Sequence, residues 1–183
     1  MRSLMLLPLL ILAACSVGGS HAAAEAQAKA DAAKKLQLAA GLWQTSAEVT
    51  RLTKQDEGPP ALDTPVGSRI EASGCVAEGE GKKPNPVLLA GHEDYDCEYS
   101  NFYMSGGTLN AQLNCTREGL NGEVRMTVDG SYTAEGIEAE QSISTFLAGS
   151  GDVNVITKLT ARHAGPTCPP AETADAAAAT KES

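Results

Sequence analysis

Apolar and polar residues alternate along most of the chain between residues 41 and 161. From Leu109 to Cys115 every second residue is apolar, and the residues between them are Asn110, Gln112 and Asn114. A period of two places one set of side chains on a single face of a β-strand. The same pattern recurs in residues 43–49, 124–128, 137–143 and 153–161. We therefore predict a sheet with one buried face.

Glycine-rich breaks separate these strands and are short enough to be turns. They are Ser105-Gly106-Gly107, Gly119 to Gly122, Ala134 to Gly136 and Gly149 to Gly151. Short turns join neighbouring strands in antiparallel fashion. The predicted fold is all-β: an antiparallel meander of six to eight strands, including one near Arg69, that forms a curved sheet or a partly closed barrel. The proline-containing residues 54–65 predict a loop, and residues 85–91 predict one helical turn that Asn85 caps and Gly91 ends.

Residues 1–14 have the features of an export signal. Arg2 supplies the positive charge, and the apolar run from Leu4 to Leu12 is shorter than the roughly 20 residues that span a bilayer. The run Leu12-Ala13-Ala14-Cys15 resembles the lipobox of bacterial lipoproteins, in which cleavage precedes a cysteine that carries lipid. We predict a signal peptide at 1–14 and lipidation of Cys15. The alternative is an ordinary signal peptide that is cleaved elsewhere.

The predicted anchor places the chain in a bacterial cell envelope, facing the periplasm. Ser16, and not aspartate, follows Cys15, which favours the outer membrane over the inner one under the sorting rule of enteric bacteria. Residues 15–40 are rich in alanine and predict a tether. Residues 41–168 then form the β-rich domain, and the small, polar residues 169–183 predict a disordered tail.

The charge of the chain limits its partners. The formal net charge is −9 at pH 7, whereas nucleic-acid binding requires clustered lysine and arginine. We therefore expect no nucleic-acid partner, and we expect contact with the membrane only through lipid on Cys15.

Four cysteines lie within the predicted domain: Cys75, Cys97, Cys115 and Cys168. An even number in an exported chain favours two disulfides, with three possible pairings. A metal site is the weaker alternative, since no two of them have CxxC spacing. If Ser105 to Gly107 form a three-residue hairpin loop, Cys97 faces Cys115 across two strands, close enough to bond. We predict this disulfide and, by exclusion, Cys75–Cys168.

The sequence contains no catalytic motif and no cofactor-binding motif that we can identify. One acidic cluster, namely His92, Glu93, Asp94, Asp96 and Glu98, has ligand types suited to Ca²⁺ or Zn²⁺ but lacks the spacing of a calcium loop. We interpret it as a solvated loop and predict no metal site and no cofactor. The register of the same hairpin places Tyr99, Asn101 and Tyr103 on the face of Cys97. These three are the candidate ligand-binding residues, although core packing with the hydroxyls at the rim is the role that we favour for them.

Several motifs together are similar to a known family. They are Gly41-Leu42-Trp43, the block from Cys97 to Cys115, Met126-Thr127-Val128 with Gly130 and Tyr132, and Arg162 with Cys168. Over about residues 41–168 the chain resembles the bacterial domain of unknown function 3617, common in envelope proteins of proteobacteria including sphingomonads. The resemblance implies a small exported β-rich domain whose cysteines and glycines serve the scaffold. It implies no activity.

We expect a non-enzymatic module that binds either a partner protein or an apolar small molecule. The alternative is a structural envelope subunit without a ligand pocket, and an unrecognised enzyme is the least favoured interpretation. The interior of the sheet distinguishes these hypotheses. A cavity of a few hundred Å³ favours a small ligand, whereas a filled interior with an exposed apolar patch favours a protein partner.

Overall fold

Seven antiparallel strands form one sheet that curls into a half-barrel. The predicted all-β fold class is therefore confirmed. The computed structural model describes residues 24–29, 31–32 and 36–168. The strands are β1 (Gly41–Lys54), β2 (Arg69–Val76), β3 (Tyr95–Ser105), β4 (Thr108–Arg117), β5 (Gly122–Tyr132), β6 (Gly136–Leu147) and β7 (Val153–Gly165). Cys15, the leader and residues 169–183 lie outside the described residues, so the predictions made for them stay predictions.

The strand order is β2-β1-β7-β6-β5-β4-β3. Strands β3 to β7 form the predicted meander of hairpins. The first long strand, β1, lies beside the last one, β7, and pairs with it from Leu42 opposite Gly165 to Lys54 opposite Val153. Strands β2 and β3 are therefore the two edges that the half-barrel leaves open.

The alternating apolar residues fill the concave side of the sheet. Trp43, Leu113, Met126 and Leu159 come from four different strands, and each is at most 1% exposed. The small residues Ala47, Ala111, Ala139 and Ala161 are also buried. The sequence left open whether these alanines leave an internal space. In the structure they lie within a packed core that fills most of the interior.

A short helix, Val87–Ala90, lies between the two edge strands and contacts both. Its residues Leu88, Leu89 and Ala90 are buried against the core. The carboxamide oxygen of Asn85 accepts a hydrogen bond from the backbone N–H of Val87 at 3.1 Å. Gly91 ends the helix with a φ of 71°, a left-handed conformation that glycine adopts without strain. The predicted helical turn is confirmed, and it covers the gap in the half-barrel.

Residues 36–40 close the end of the half-barrel at which β1 begins. Leu38 is 2% exposed, and its backbone N–H donates to the carbonyl oxygen of Gly81 at 2.8 Å. The hydroxyl of Tyr132 donates to the carbonyl oxygen of Leu36 at 3.1 Å. The structure thus adds these residues, which the sequence assigns to the tether, to the packed domain.

Residues 24–29 and 31–32 are helical and exposed. None of the helices described is long and apolar enough to cross a membrane.

The β3–β4 hairpin differs from the predicted register. Its loop has two residues, Gly106 and Gly107, with φ angles of 60° and 85°. Two positive φ angles are typical of a type I′ turn, which matches the twist of the strands it joins. Ser105 therefore faces Thr108, one position away from the prediction. A β-bulge at Ser100 restores the predicted register toward the start of β3.

Both predicted disulfides are present. Cys97 and Cys115 face each other directly across β3 and β4, because the bulge compensates for the shorter loop. Cys75 and Cys168 are 93 residues apart and join β2 to the end of the described chain. One bond therefore holds a hairpin together, and the other holds the first and last parts of the domain together.

The two disulfides should contribute unequally to stability. In the chain-entropy model, a crosslink over 93 residues stabilises by about 4–5 kcal/mol, and one over 18 residues by about 3 kcal/mol. We expect the pair Cys75→Ala/Cys168→Ala to lower the free energy of unfolding more than Cys97→Ala/Cys115→Ala. Urea unfolding followed by the fluorescence of Trp43, the one tryptophan of the chain, measures both. An equal or larger loss from the hairpin pair would contradict the model.

Candidate functional site

A cleft of about 540 Å³ opens at one end of the half-barrel. It lies where β1, β4 and β6 end and where β2, β5 and β7 begin, opposite the end that residues 36–40 close. One wall is formed by residues 61–70. The other wall is formed by residues 90–95 and by the turn at residues 117–120.

The floor of the cleft is closed to solvent. Val49, Val155, Gln141 and Thr157 form part of it, and each is at most 1% exposed. The side-chain amide of Gln141 donates to the carbonyl oxygens of Leu89 and Ala90 at 2.9 and 3.0 Å. Its carbonyl oxygen accepts a hydrogen bond from the hydroxyl of Thr157 at 2.9 Å. The buried polar groups of the floor are thus paired with one another, and the open volume lies above them, between the walls.

The first wall is attached to the rest of the domain near both of its ends. The Asp56 carboxylate accepts hydrogen bonds from the backbone N–H groups of Gly58, Gly151 and Asp152 at 2.8–3.0 Å. These bonds, those from Asp152 and Gly58 above all, lower the pKa of Asp56. At the other end of the wall, the N–H of Gly67 donates to the carbonyl oxygen of Val49 at 2.8 Å.

Two hydroxyl groups of this wall have no hydrogen-bond partner in the part of the chain that the structure describes. The hydroxyl oxygens of Thr64 and Ser68 are buried, and neither has a hydrogen-bond partner among the described residues. An unpaired buried hydroxyl costs about 1–3 kcal/mol. Leu62, in contrast, is 3% exposed and packs into the core. The wall is therefore held by the side chain of Leu62 and by hydrogen bonds near its two ends, including those that join Val49 to Gly67 and Ser68.

The second wall carries a connected set of polar and aromatic side chains. The guanidinium of Arg117 lies 3.3 Å from the Asp94 carboxylate and 5.3 Å from the centre of the Tyr95 ring. Burial raises the pKa of Tyr95, and the nearby Arg117 opposes that effect. Nδ1 of His92 accepts a hydrogen bond from the backbone N–H of Asp94 at 3.1 Å. In the neutral ring the proton therefore lies on Nε2, which is a hydrogen-bond donor.

The residues that the sequence singled out for ligand binding do not come together. The hydroxyl of Tyr99 donates to the carbonyl oxygen of Pro84 at 3.0 Å, and burial raises its pKa. Asn101 is exposed and Tyr103 is 55% exposed. The bulge at Ser100 reverses the alternation, so that Phe102 and Met104 take the inner positions instead. The prediction of a shared face for Tyr99, Asn101 and Tyr103 is wrong, and none of the three lines the cleft.

The acidic cluster also separates in the structure. His92 and Asp94 belong to the second wall, whereas the Glu93 carboxylate accepts hydrogen bonds from Ser73 on β2 at 3.4 Å. Asp96 and Glu98 line a separate, shallow groove. Within the part of the chain that the structure describes, no three His, Cys, Asp or Glu side chains are grouped so as to hold a metal ion.

Sequence reasoning missed Gln141, Arg117 and the wall at residues 61–70. Gln141 carries a detectable signal, because it is a polar residue at an inward position of β6, between Ala139 and Ile143. Arg117 and residues 61–70 carry no such signal in the sequence, since their role depends on their position in the folded sheet.

The packed part of the chain coincides with a known family. The family model described as a protein of unknown function (DUF3617) matches residues 38–168. The chain belongs to the DUF3617 family. The match begins at Leu38, buried at the closed end, and ends at Cys168 in the second disulfide, so the cleft belongs entirely to the DUF3617 domain. Searches of curated proteins and of solved structures found no match.

Replacement of Gln141 by leucine should destabilise this DUF3617 domain. Gln141→Leu leaves the Thr157 hydroxyl and two helix carbonyls without their partner, and we expect a loss of about 2–4 kcal/mol in the free energy of unfolding. Gln112→Leu makes the same chemical change at an exposed position of β4 and serves as the control. Urea unfolding measures both variants. A similar effect in the two would show that the buried hydrogen bonds do not stabilise the domain.

Proposed function

We propose that the domain binds a small apolar molecule in the cleft and performs no chemistry on it. The observation that carries this proposal is the cleft itself. Its volume of about 540 Å³ lies within the range of about 300–1,000 Å³ that is typical of ligand pockets. A little over half of its lining residues are apolar or glycine, among them Ile70, Leu120 and Ile143, and the remainder are polar or charged.

The exposed apolar residues favour this proposal over a protein partner. The large ones among the described residues are Val66, Tyr103 and Phe146. They belong to the loop before β2, to β3 and to β6, and the Phe146 ring is covered by the Arg125 guanidinium at 4.8 Å. Protein-binding surfaces usually present one contiguous apolar patch. Three scattered side chains do not make such a patch.

The buried, paired polar groups of the cleft support binding rather than catalysis. Gln141 and Thr157 bond to each other and to the short helix, and Arg117 lies against Asp94 and Tyr95. A general base or nucleophile needs free access to the reacting atom. Here the buried groups hold the scaffold together.

The proposed setting is the cell envelope, with the domain tethered through lipid on Cys15. Residues 36–40 join the domain at its closed end, and the cleft opens at the opposite end. The described chain therefore leads toward Cys15 from the end of the domain that lies away from the cleft. This arrangement suits a module that takes a ligand from the periplasm.

Binding of an apolar fluorescent reporter, N-phenyl-1-naphthylamine, tests the proposed function. We expect the domain to increase its fluorescence, and we expect Leu120→Trp to weaken binding by about tenfold or more, because the larger ring occupies the cleft. Leu147→Trp is the control, since Leu147 is also half-buried at this end but does not line the cleft. If the reporter does not bind, or if both variants bind it like the parent protein, the cleft is not a ligand site and a structural subunit is the better proposal.

Lipidation of Cys15 has a separate test. Cells that express the full chain and are grown with an alkyne analogue of palmitate should incorporate the label into the protein. Cys15→Ser should abolish labelling and should release the protein from the membrane fraction. Labelling that survives this substitution would contradict the predicted anchor.

A further inference from the structure

We infer that the cleft selects an uncharged amphiphile with a carbonyl group, and that Asp94 sets this selection by neutralising Arg117. The inference rests on the proposed function and names the class of ligand. It follows from the charges around the cleft and from the donors on its second wall.

Both arginines that line the cleft already face a carboxylate. Arg69 lies 2.6 Å from Glu48, and Arg117 lies 3.3 Å from Asp94. The net charge of the chain is −9, so its long-range field repels anions. A carboxylate or phosphate head group would therefore enter a negative field and find no unpaired arginine in the lining. An anionic amphiphile is disfavoured for this reason.

A positively charged head group is also poorly matched. Asp63 and Glu118 line the cleft, but both are exposed to water. The buried floor contains the neutral Gln141 and Thr157, which bond to each other. A cation that enters an apolar site needs a buried partner to replace its hydration. The described lining offers no buried carboxylate for this role.

Two accessible polar groups of the second wall are donors, and they lie on the same wall as the exposed carboxylate of Glu118. Nε2 of His92 carries the ring proton, because Nδ1 accepts the hydrogen bond from the Asp94 N–H. The His92 and Arg117 side chains are 26% and 27% exposed, so both are within reach of a ligand at the mouth. The Arg117 guanidinium has five N–H donors, more than its contacts with Asp94 and Tyr95 use. Two donors above an uncharged floor match the acceptor oxygen of an ester.

Displacement of N-phenyl-1-naphthylamine by three compounds with a ten-carbon acyl chain tests the charge selection. The compounds are monodecanoylglycerol, decanoate and decanoylcholine, each used below its critical micelle concentration at pH 7. They share one acyl chain and differ in head-group charge. We expect monodecanoylglycerol to displace the reporter at a concentration about tenfold lower than decanoate requires. Equal or better displacement by decanoate or by decanoylcholine would overturn the inference.

Asp94→Asn tests the role of the carboxylate. It removes the carboxylate that faces Arg117 and that also lies 3.6 Å from Nδ1 of His92, while keeping the backbone N–H that bonds to His92. We expect decanoate to bind about five- to tenfold more tightly and monodecanoylglycerol to bind within about twofold of its original affinity. Glu123→Gln is the matched control, because it makes the same change in net charge and frees Arg125, which does not line the cleft. An equal gain for decanoate in the two variants would show a general charge effect and would exclude a specific role for Asp94.

These outcomes distinguish a failure of the inference from a failure of the proposed function. Absence of reporter binding to the parent protein defeats the proposed function and the inference together. The second case is that the reporter binds, that Leu120→Trp weakens this binding, and that the domain shows no preference among the three head groups. This result supports the proposed function and contradicts the inference alone.

Discussion

The hydrogen bonds of Gln141 hold the two parts of this fold together. A half-barrel has two open edges, here β2 and β3, and the short helix Val87–Ala90 must cover the gap between them. The helix is too short to be stable alone. Gln141 lies on β6, near the middle of the sheet, and its amide bonds the carbonyl oxygens of Leu89 and Ala90 inside the core. The helix position, and with it the second wall of the cleft, therefore depends on Gln141 together with the buried leucines of the helix and the hydrogen bond from the Thr45 hydroxyl to the Leu88 carbonyl oxygen at 3.4 Å.

The two ends of the half-barrel differ because the chain closes only one of them. At the closed end Leu38 is buried, and the indole N–H of Trp43 donates to the carbonyl oxygen of Ala39 at 2.9 Å. At the other end a long loop passes over the sheet and is fixed mainly by Asp56 and Leu62. A long loop with few internal hydrogen bonds packs less completely than a strand. The cleft lies where the closure is least complete.

The alternation of apolar residues was enough to predict the fold, but it was not enough to predict the site. Strands β4 to β7 follow a strict period of two, and both disulfides were predicted correctly. In β3, a shorter loop and the bulge at Ser100 shift the register by one residue in opposite directions. The two shifts cancel at Cys97. In the residues that lie between the bulge and the turn, however, the predicted register placed Asn101 and Tyr103 on the wrong face. A bulge has no distinct residue pattern here, and the cleft combines segments that only the folded sheet brings together.

Two similar arginine pairs show why position matters more than residue type. Arg117 and Arg125 each face one carboxylate and one aromatic ring. The Arg125 side chain is 58% exposed, so water screens its pairing with Glu123 and the pair has little energetic effect. The Arg117 side chain is 27% exposed and lines the cleft, although that of its partner Asp94 is 59% exposed. A ligand that displaces water from the cleft strengthens every electrostatic interaction there. The same pair of charges then discriminates between ligands, which it cannot do on the open surface.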